Sequence, residues 1–447
     1  MGNSLIFDRE LEVSADEIEL GDTLVARDMV GEEDDRHSAR QDVVRHSRMT
    51  MAMFLILTAP HPCAADDGID QVTRTLLDPV AARDSGFIDI TVAPKQVSLL
   101  VTVVLDDAGA DIGITRIEDP KRRILYDASF ADESWDSRHF QSSLLNEPAV
   151  DTGELTVLLP TTPDIPLKAG TYRIAFETDP HDVGISRIDY IAKQWSANAD
   201  IDHWPHDIDL HVHRFETRAN TETDAASRRL ESDWRPALQR MLGPHALHIG
   251  DFSATSNAAE RFATLQNEDD IDNACLAMRR AAPSHLPLLV GLVPAIILTD
   301  EESGAHGGDG ETSGLAPQPG NPYDEASPNG CIFIASEPWR DGSLNDTELH
   351  EILAANLVHE LGHFAGLTHP TDIDGVTFDL LDDTPVCRRD DHLDCTRAEG
   401  SANVMFHSGG IENFPYTLTE AQAWVLRRHP LFRGGAKVKA VHLGTDN

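Results

Sequence analysis

The segment from His359 to His369 constrains this chain more than any other feature, because it fixes the spacing of three imidazole side chains around a predicted helix end. On a helix, His359 and His363 leave the same face and can bind one ion. Gly366 tolerates a left-handed backbone, so the helix can end there and the chain can bring His369 back to that ion. Three neutral imidazoles and one water form an open tetrahedral zinc site, in which Glu360 can hold the water. The segment therefore predicts one catalytic Zn²⁺.

Two capping boxes define the helices around this segment. Asn345 and Glu348 have the spacing of a capping box, which predicts that the helix carrying the histidines begins near Asn345. Thr419 and Gln422 form a second box, which opens a helix through Arg428. The first helix also has an apolar stripe, formed by Leu349, Ile352, Leu353, Leu357 and Leu361.

The extended pattern HExxHxxGxxH resembles that of the metzincin zinc metallopeptidases. The resemblance implies a turn that contains Met405, which would form an apolar floor beneath the three imidazoles. The DTP segment at Asp383, followed by Cys387 and Cys395, is similar to the pappalysin branch. That branch commonly has Tyr two residues after the Met, bonded to the reacting carbonyl oxygen. This chain has His407 there, so either His407 takes that role or the role is missing.

The resemblance implies a zinc endopeptidase with a protein or peptide substrate, which we expect to be secreted, or to lie in the periplasm or at the cell surface, after cleavage of a signal peptide. Glu360 would act as the general base that activates the zinc-bound water. The apolar run Leu286–Leu298 is a candidate edge strand for an extended substrate. Two alternatives stay open, namely an exported non-enzymatic binding protein with a vestigial or structural zinc site, and a zinc hydrolase that acts on a non-peptide bond. The intact Glu360 and the three-histidine set argue against the first, because structural zinc is usually closed by a fourth protein ligand.

Upstream of the histidines, the sequence predicts an antiparallel β-sandwich. Short alternating runs such as Phe87–Val92 are separated by Gly, Pro and Asp. Farther on, strands mix with helices, which indicates an α/β domain; the resemblance implies a twisted sheet, an active-site helix and a C-terminal helix. Ser303–Asn329 is rich in turn residues and predicts a long loop. We expect a multidomain chain with a sandwich at 66–197, a linker at 198–206, a metzincin-like catalytic domain at 207–435 and a tail at 436–447.

The run Met51–Ala59 is apolar, follows basic residues and precedes small ones, which is the order of a secretory signal peptide. Acidic and polar residues stand before it. Our hypothesis is that translation starts at Met49 or Met51, so that residues 1–65 comprise an acidic segment and a signal peptide at about 49–65. The alternative is a cytosolic chain with a small apolar segment.

The cysteines fit an exported chain. Loss of the signal peptide would remove Cys63 and leave four of the five, an even number that suggests two disulfides among three alternative pairings. We favour Cys387–Cys395 as a local bridge and Cys275–Cys331 as a longer one. The alternative is four free thiols.

The charge excludes some partners. Lys and Arg number 36 and Asp and Glu number 76, so the net charge of −40 is a poor match for nucleic acid. No apolar run reaches the roughly 20 residues of a membrane-spanning helix.

The acidic loops, including Asp372–Gly375 and Asp379–Asp383, are candidates for Ca²⁺, although no Glu completes an EF-hand. His211 and His213 share one face of a predicted strand and could bind metal, but no third ligand is obvious, so we expect exposed strand residues. The oligomeric state stays open.

Overall fold

The chain divides into two units, Met1–Pro62 and Cys63–Asn447. The structure is a computed structural model, and all the residues that it describes belong to the second unit. The predicted acidic segment and signal peptide, the tail, Cys387, Cys395 and Asp372–Gly375 lie outside them. The described residues are 70–79, 86–127, 149–150, 153–180, 183–195, 200–215, 223–257, 260–282, 287–298, 310–317, 319–324, 327–336, 344–371, 379–386, 399–407 and 415–434.

Two antiparallel sheets pack face to face between residues 70 and 195. Their strands are β1 (Asp70–Leu77), β2 (Ile88–Val92), β3 (Gln96–Leu105), β4 (Asp111–Glu118), β5 (Ile124–Asp127), β6 (Ala149–Val150), β7 (Glu154–Leu159), β8 (Gly170–Asp179) and β9 (Ile185–Trp195). The first sheet has the order β1-β9-β3-β7 and the second β2-β8-β4-β5, with β6 paired to β4. Along β2, Ile88, Ile90 and Val92 are buried and the residues between them exposed, because successive side chains of a strand point to opposite faces.

A mixed sheet with helices follows. Its elements and their neighbours are β10 (His206–Phe215), α1 (Thr223–Leu242), β11 (Leu247–Asn257), β12 (Thr264–Leu265), α2 (Glu268–Ala281), β13 (Leu288–Val293), β14 (Ala295–Leu298), β15 (Gly310–Glu311), β16 (Gly314–Leu315), β17 (Cys331–Ala335), α3 (Asp346–Phe364), α4 (Glu420–Arg428) and β18 (Arg433–Gly434). The order is β11-β10-β13-β17-β16, with β18 beside β10. The first four strands are parallel and β16 is antiparallel at the edge. Strand β14 pairs separately with β12 and β15.

The described chain is therefore β-rich and mixed, with several antiparallel sheets and few helices. Two local predictions are wrong. Ser303–Asn329 is not simply a loop, because it contains β15 and β16, which are too short to leave an alternating pattern. The run Leu286–Leu298 does not supply an edge of the main sheet, because β13 lies between β10 and β17.

The first sheet of the sandwich shares a core with the mixed α/β region. Leu100, Leu158 and Ile191 of the sandwich belong to the same buried cluster as Leu353 and Phe364 of α3. Removing such apolar side chains from water contributes about 25 cal/mol per Å² of buried area. The two regions thus stabilise each other as parts of one compact unit.

Lys193 of β9 provides a polar link across this boundary. Its side chain is 0% exposed, and its Nζ donates hydrogen bonds to the backbone carbonyls of Arg427, His429 and Phe432. Carbonyls at the end of a helix have no intrahelical donor, so a buried ammonium group there satisfies them. A sandwich residue therefore caps the end of α4.

A buried ion cluster makes a second link. Arg74 of β1 pairs with Asp189 of β9 at 2.9 Å and donates to the carbonyl oxygen of Tyr323 at 3.1 Å. Arg187 pairs with Asp189 at 3.1 Å and also contacts Asp324. Because buried charges are costly unless they are paired, this cluster holds the 321–324 segment on the sandwich.

His211 and His213 are buried, so the expectation that they would be exposed is wrong. Each side chain is only 2% exposed, because β10 is an interior strand covered on both faces. The Thr255 hydroxyl lies 3.2 Å from His211 Nε2 and 2.8 Å from His213 Nδ1. These histidines serve packing and hydrogen bonding in the sheet.

Cys275 and Cys331 form a disulfide that joins α2 to β17. This agrees with the predicted long bridge. Both residues are buried, at 0% and 2% exposed. In the same described part of the chain, no helix is long and apolar enough to cross a membrane.

Buried neutral histidines predict a loss of stability in acid. Desolvation lowers the pKa of His206 to about 2, of His429 to about 3 and of His213 to about 4. Between about pH 6.5 and these values the unfolded chain binds more protons, so acidification lowers the free energy of unfolding. Each group contributes up to about 1.4 kcal/mol per pH unit.

We expect urea unfolding at pH 7 and pH 5 to show this fall, with a smaller pH dependence in His206→Asn. Asn can keep the donor that His206 Nδ1 provides to the Trp204 carbonyl, but it does not titrate. His203→Asn is the control, because the His203 side chain is 84% exposed. Equal pH dependence in wild type and His206→Asn would contradict the prediction.

Candidate metal centre

The helix that carries the histidines begins where the sequence predicts. The Asn345 side chain accepts hydrogen bonds from the backbone of Thr347 at 3.0 Å and of Glu348 at 3.1 Å. The Glu348 carboxylate accepts from the Asn345 backbone at 2.9 Å, which completes the capping box. Helix α3 packs against α1 and β17, and most of its second half is buried.

The helix ends in a glycine turn that redirects the chain. Gly366 has φ +92°, a left-handed conformation that favours glycine. Its backbone N–H donates to the His363 carbonyl at 2.8 Å, and the Leu367 N–H donates to the Gly362 carbonyl at 2.9 Å. These two bonds form a Schellman motif, which satisfies the last helical carbonyls and sends the chain back towards His369.

The three predicted ligands converge. The Nε2 atoms of His359 and His363 are 3.0 Å apart, those of His363 and His369 3.2 Å, and those of His359 and His369 3.3 Å. Tetrahedral zinc with bonds of about 2.0–2.1 Å separates its nitrogen ligands by about 3.3 Å. The triangle therefore fits a single ion of this kind with only small adjustment.

The tautomers of two of these histidines point to a cation. His359 Nδ1 lies 2.8 Å from the Val404 carbonyl, and His363 Nδ1 lies 2.9 Å from the Leu367 carbonyl. A carbonyl only accepts, so each Nδ1 carries the proton and each neutral ring presents a bare Nε2. Desolvation lowers the pKa of His359 to about 3 and that of His363 well below its usual value, which keeps both rings neutral. Two lone pairs at this distance repel unless a cation lies between them.

The residue predicted as the floor of the site packs against the helix. Met405 is 0% exposed, and a β-carbon placed on Gly362 would meet its Sδ and come within 2.9 Å of its Cε. Glycine at this helix position therefore permits the close approach. The neighbouring Val404 supplies the carbonyl that orients His359, so the same turn contributes packing and a hydrogen bond.

A pair of amides ties this turn to the last helix. Asn403 Nδ2 donates to Gln422 Oε1 at 3.0 Å, and Gln422 Nε2 donates to Asn403 Oδ1 at 3.0 Å. Asn403 Oδ1 also accepts from the Met405 backbone at 2.9 Å. Gln422 belongs to the predicted capping box with Thr419, which opens α4. The N-terminus of α4 therefore helps to fix the turn beside the histidines.

Glu360 is buried beside the three histidines. Its side chain is 6% exposed, and no group in the described residues donates a hydrogen bond to its carboxylate. Burial raises the pKa of Glu360 to about 8. A buried carboxylate with no cationic partner has a high affinity for a proton, which suits the role of a proton acceptor.

His407 lies beside the third ligand. Its ring centroid is 6.1 Å from that of His369, and its Nδ1 is 3.1 Å from the Thr371 carbonyl. It also contacts Phe406, at 4.5 Å between ring centroids. His407 therefore lies next to His369 and is oriented by the Thr371 carbonyl.

The prediction of calcium has no support in the described residues, where His359, His363 and His369 are the one group with metal-ligand geometry. In the acidic loop, Asp379 accepts from the Thr384 hydroxyl at 2.7 Å and from the Leu381 backbone at 3.3 Å. Desolvation raises the pKa of Asp379 to about 7, which disfavours its charged form. This carboxylate has a local structural role.

Several residues that build the site leave no signal in the sequence. The carbonyls of Val404 and Leu367 carry no side-chain pattern, and the Asn403–Gln422 pair depends on tertiary structure. Gly314, which lies against the Glu360 side chain, belongs to a segment that the sequence predicts as a loop.

Comparisons with known proteins add little. No protein-family model matches the sequence, and no curated protein matches it. Among solved structures, the crystal structure of metalloproteinase-II from Bacteroides fragilis matches with a TM-score of 0.30 and 10% sequence identity. The match covers 55% of this chain and 62% of that chain, which is less than two thirds of its length.

Proposed function

We propose that the protein is a zinc-dependent endopeptidase of the metzincin type. The observation that supports this proposal most strongly is the convergence of three Nε2 atoms at 3.0–3.3 Å, two of them on rings whose Nδ1 atoms already donate to carbonyls. Three protein nitrogens leave a fourth position for water or substrate, which is typical of catalytic rather than structural zinc.

Glu360 is the proposed general base. Bound zinc would lower the pKa of a water molecule towards about 7 and polarise the scissile carbonyl. Glu360 would take the proton from that water and return it to the leaving amine. His407 is our candidate for contact with the carbonyl oxygen, in the position where the pappalysin branch commonly has Tyr.

The substrate would bind beside β16. Among the described residues this strand is the edge of the mixed sheet and contacts α3, so an extended peptide could pair along its outer side. The mixed sheet, α3, the Met405 turn and α4 support the metzincin assignment. The pappalysin branch remains a proposal from the sequence.

Export is also a proposal. The Cys275–Cys331 disulfide supports it, because disulfides persist mainly in oxidising compartments. N-terminal sequencing of the protein recovered from culture medium tests it, and a mature end before residue 50 would rule out the proposed signal peptide.

The function is tested by incubating the purified chain with casein and with a peptide library, with and without a chelator. We expect cleavage that the chelator abolishes and added zinc restores. Chelator-sensitive hydrolysis of ester substrates, or of amide bonds in sugars, without peptide cleavage would favour the non-peptide zinc hydrolase. Bound zinc with no hydrolysis of either substrate would favour a binding protein.

A further inference from the structure

The position of the Glu360 side chain needs a physical cause other than hydrogen bonding. The carboxylate receives no hydrogen bond from the described residues, yet the side chain is almost completely buried. A flexible glutamate to which no protein group donates a hydrogen bond depends on the shape of its surroundings for its position. The neighbouring atoms therefore decide where the carboxylate lies.

Gly314 of β16 is one of these neighbours. A β-carbon placed on Gly314 would meet Glu360 Oε1 and would come within 2.6 Å of both its Cδ and its Cγ. Real β-carbons essentially never approach other heavy atoms within 3.0 Å. The conflict includes the stem of the side chain, so a small rotation of the carboxylate alone does not relieve it.

The backbone of Gly314 is itself well fixed. Gly314 pairs with Ile334 of β17, the neighbouring Ser313 carbonyl accepts from the Ala335 backbone at 3.0 Å, and the Gly314 carbonyl accepts from the Thr312 hydroxyl at 3.0 Å. Neither the strand nor the buried helix can move away easily. A side chain at position 314 would therefore displace Glu360.

We propose that Gly314 is a positioning residue for the general base, because its missing side chain leaves the space that the Glu360 carboxylate occupies. The edge strand then has a second role beside substrate binding, since its backbone forms the wall against which Glu360 lies. The kinetic part of this inference rests on the proposed peptidase function, whereas the steric part does not.

The kinetic test is Gly314→Ala in the full chain. We expect zinc content and KM to stay unchanged while kcat falls about a hundredfold, as a displacement of about 1 Å can cause. Gly109→Ala is the matched control, because a β-carbon there would lie 3.8 Å from the nearest atom, on the Asp107 side chain, and we expect wild-type kinetics. Unchanged kcat in Gly314→Ala would overturn the inference.

The steric test is a double-mutant cycle measured by thermal unfolding. Gly314→Ala should lower the melting temperature by about 2–4 °C in the wild-type background. In a Glu360→Ala background the same change should cost nothing, because the conflicting atoms are gone. Equal losses in both backgrounds would overturn the inference.

Two further outcomes are informative. If Gly314→Ala does not fold, recovery of folding in Gly314→Ala/Glu360→Ala supports the inference and an unfolded double variant overturns it. If the wild type cleaves no peptide, the proposed function fails, and the unfolding cycle still decides whether Gly314 makes room for Glu360.

Discussion

Glu360→Gln should lower kcat for peptide cleavage by about 10²–10⁴-fold while zinc content and KM stay close to those of the wild type. Gln has nearly the same shape, so the packing against Gly314 is retained. It cannot accept a proton from water, so the nucleophile is no longer activated. Zinc content is measured by atomic emission and cleavage with a fluorogenic peptide.

The matched control is Glu348→Gln on the same helix. Glu348 accepts a hydrogen bond from the Asn345 backbone at the start of α3, and Gln serves equally well in a capping box. We expect wild-type kinetics for this control. If Glu360→Gln cleaves peptide at the wild-type rate, Glu360 is not the general base.

Lys193→Met should lower the free energy of unfolding by about 3–5 kcal/mol, which is a large part of the usual 5–15 kcal/mol. Met fills a similar volume but provides no donor, so the carbonyls of Arg427, His429 and Phe432 lose the group that satisfies them. Each buried acceptor left without a partner costs about 1–3 kcal/mol. Urea unfolding followed by tryptophan fluorescence measures the change.

Lys121→Met is the control for this substitution, since Lys121 is exposed in a turn of the sandwich. Its effect should stay within about 0.5 kcal/mol. A Lys193→Met variant as stable as this control would show that the Lys193 contacts do not stabilise the fold.

The parts of the site that could be predicted from sequence are those fixed by local geometry. The spacing of His359 and His363 places both on one helix face, and the capping boxes at Asn345 and Thr419 depend on residues three apart. The glycine turn that returns His369 is also local. Within such short segments, the helix repeat and backbone conformation decide which side chains meet.

The parts that could not be predicted depend on pairing between distant segments. Strand β16 has two residues, which is too few for a period, and its importance follows from its contact with Glu360. The burial of His211 and His213 could not be predicted, because side-chain exposure on a strand depends on which distant segments pack on each face of the sheet. The carbonyl of Val404 became a partner of His359 only through the fold.

The amide pair between Asn403 and Gln422 constrains how this protein can evolve. It joins the floor of the metal centre to the start of α4, and the far end of α4 is capped by Lys193 of the sandwich. The sandwich thus supports the candidate metal centre through α4. Gene fusion or domain shuffling that exchanged it for an unrelated module would also remove the support of the metal centre, so the two halves are expected to be inherited together.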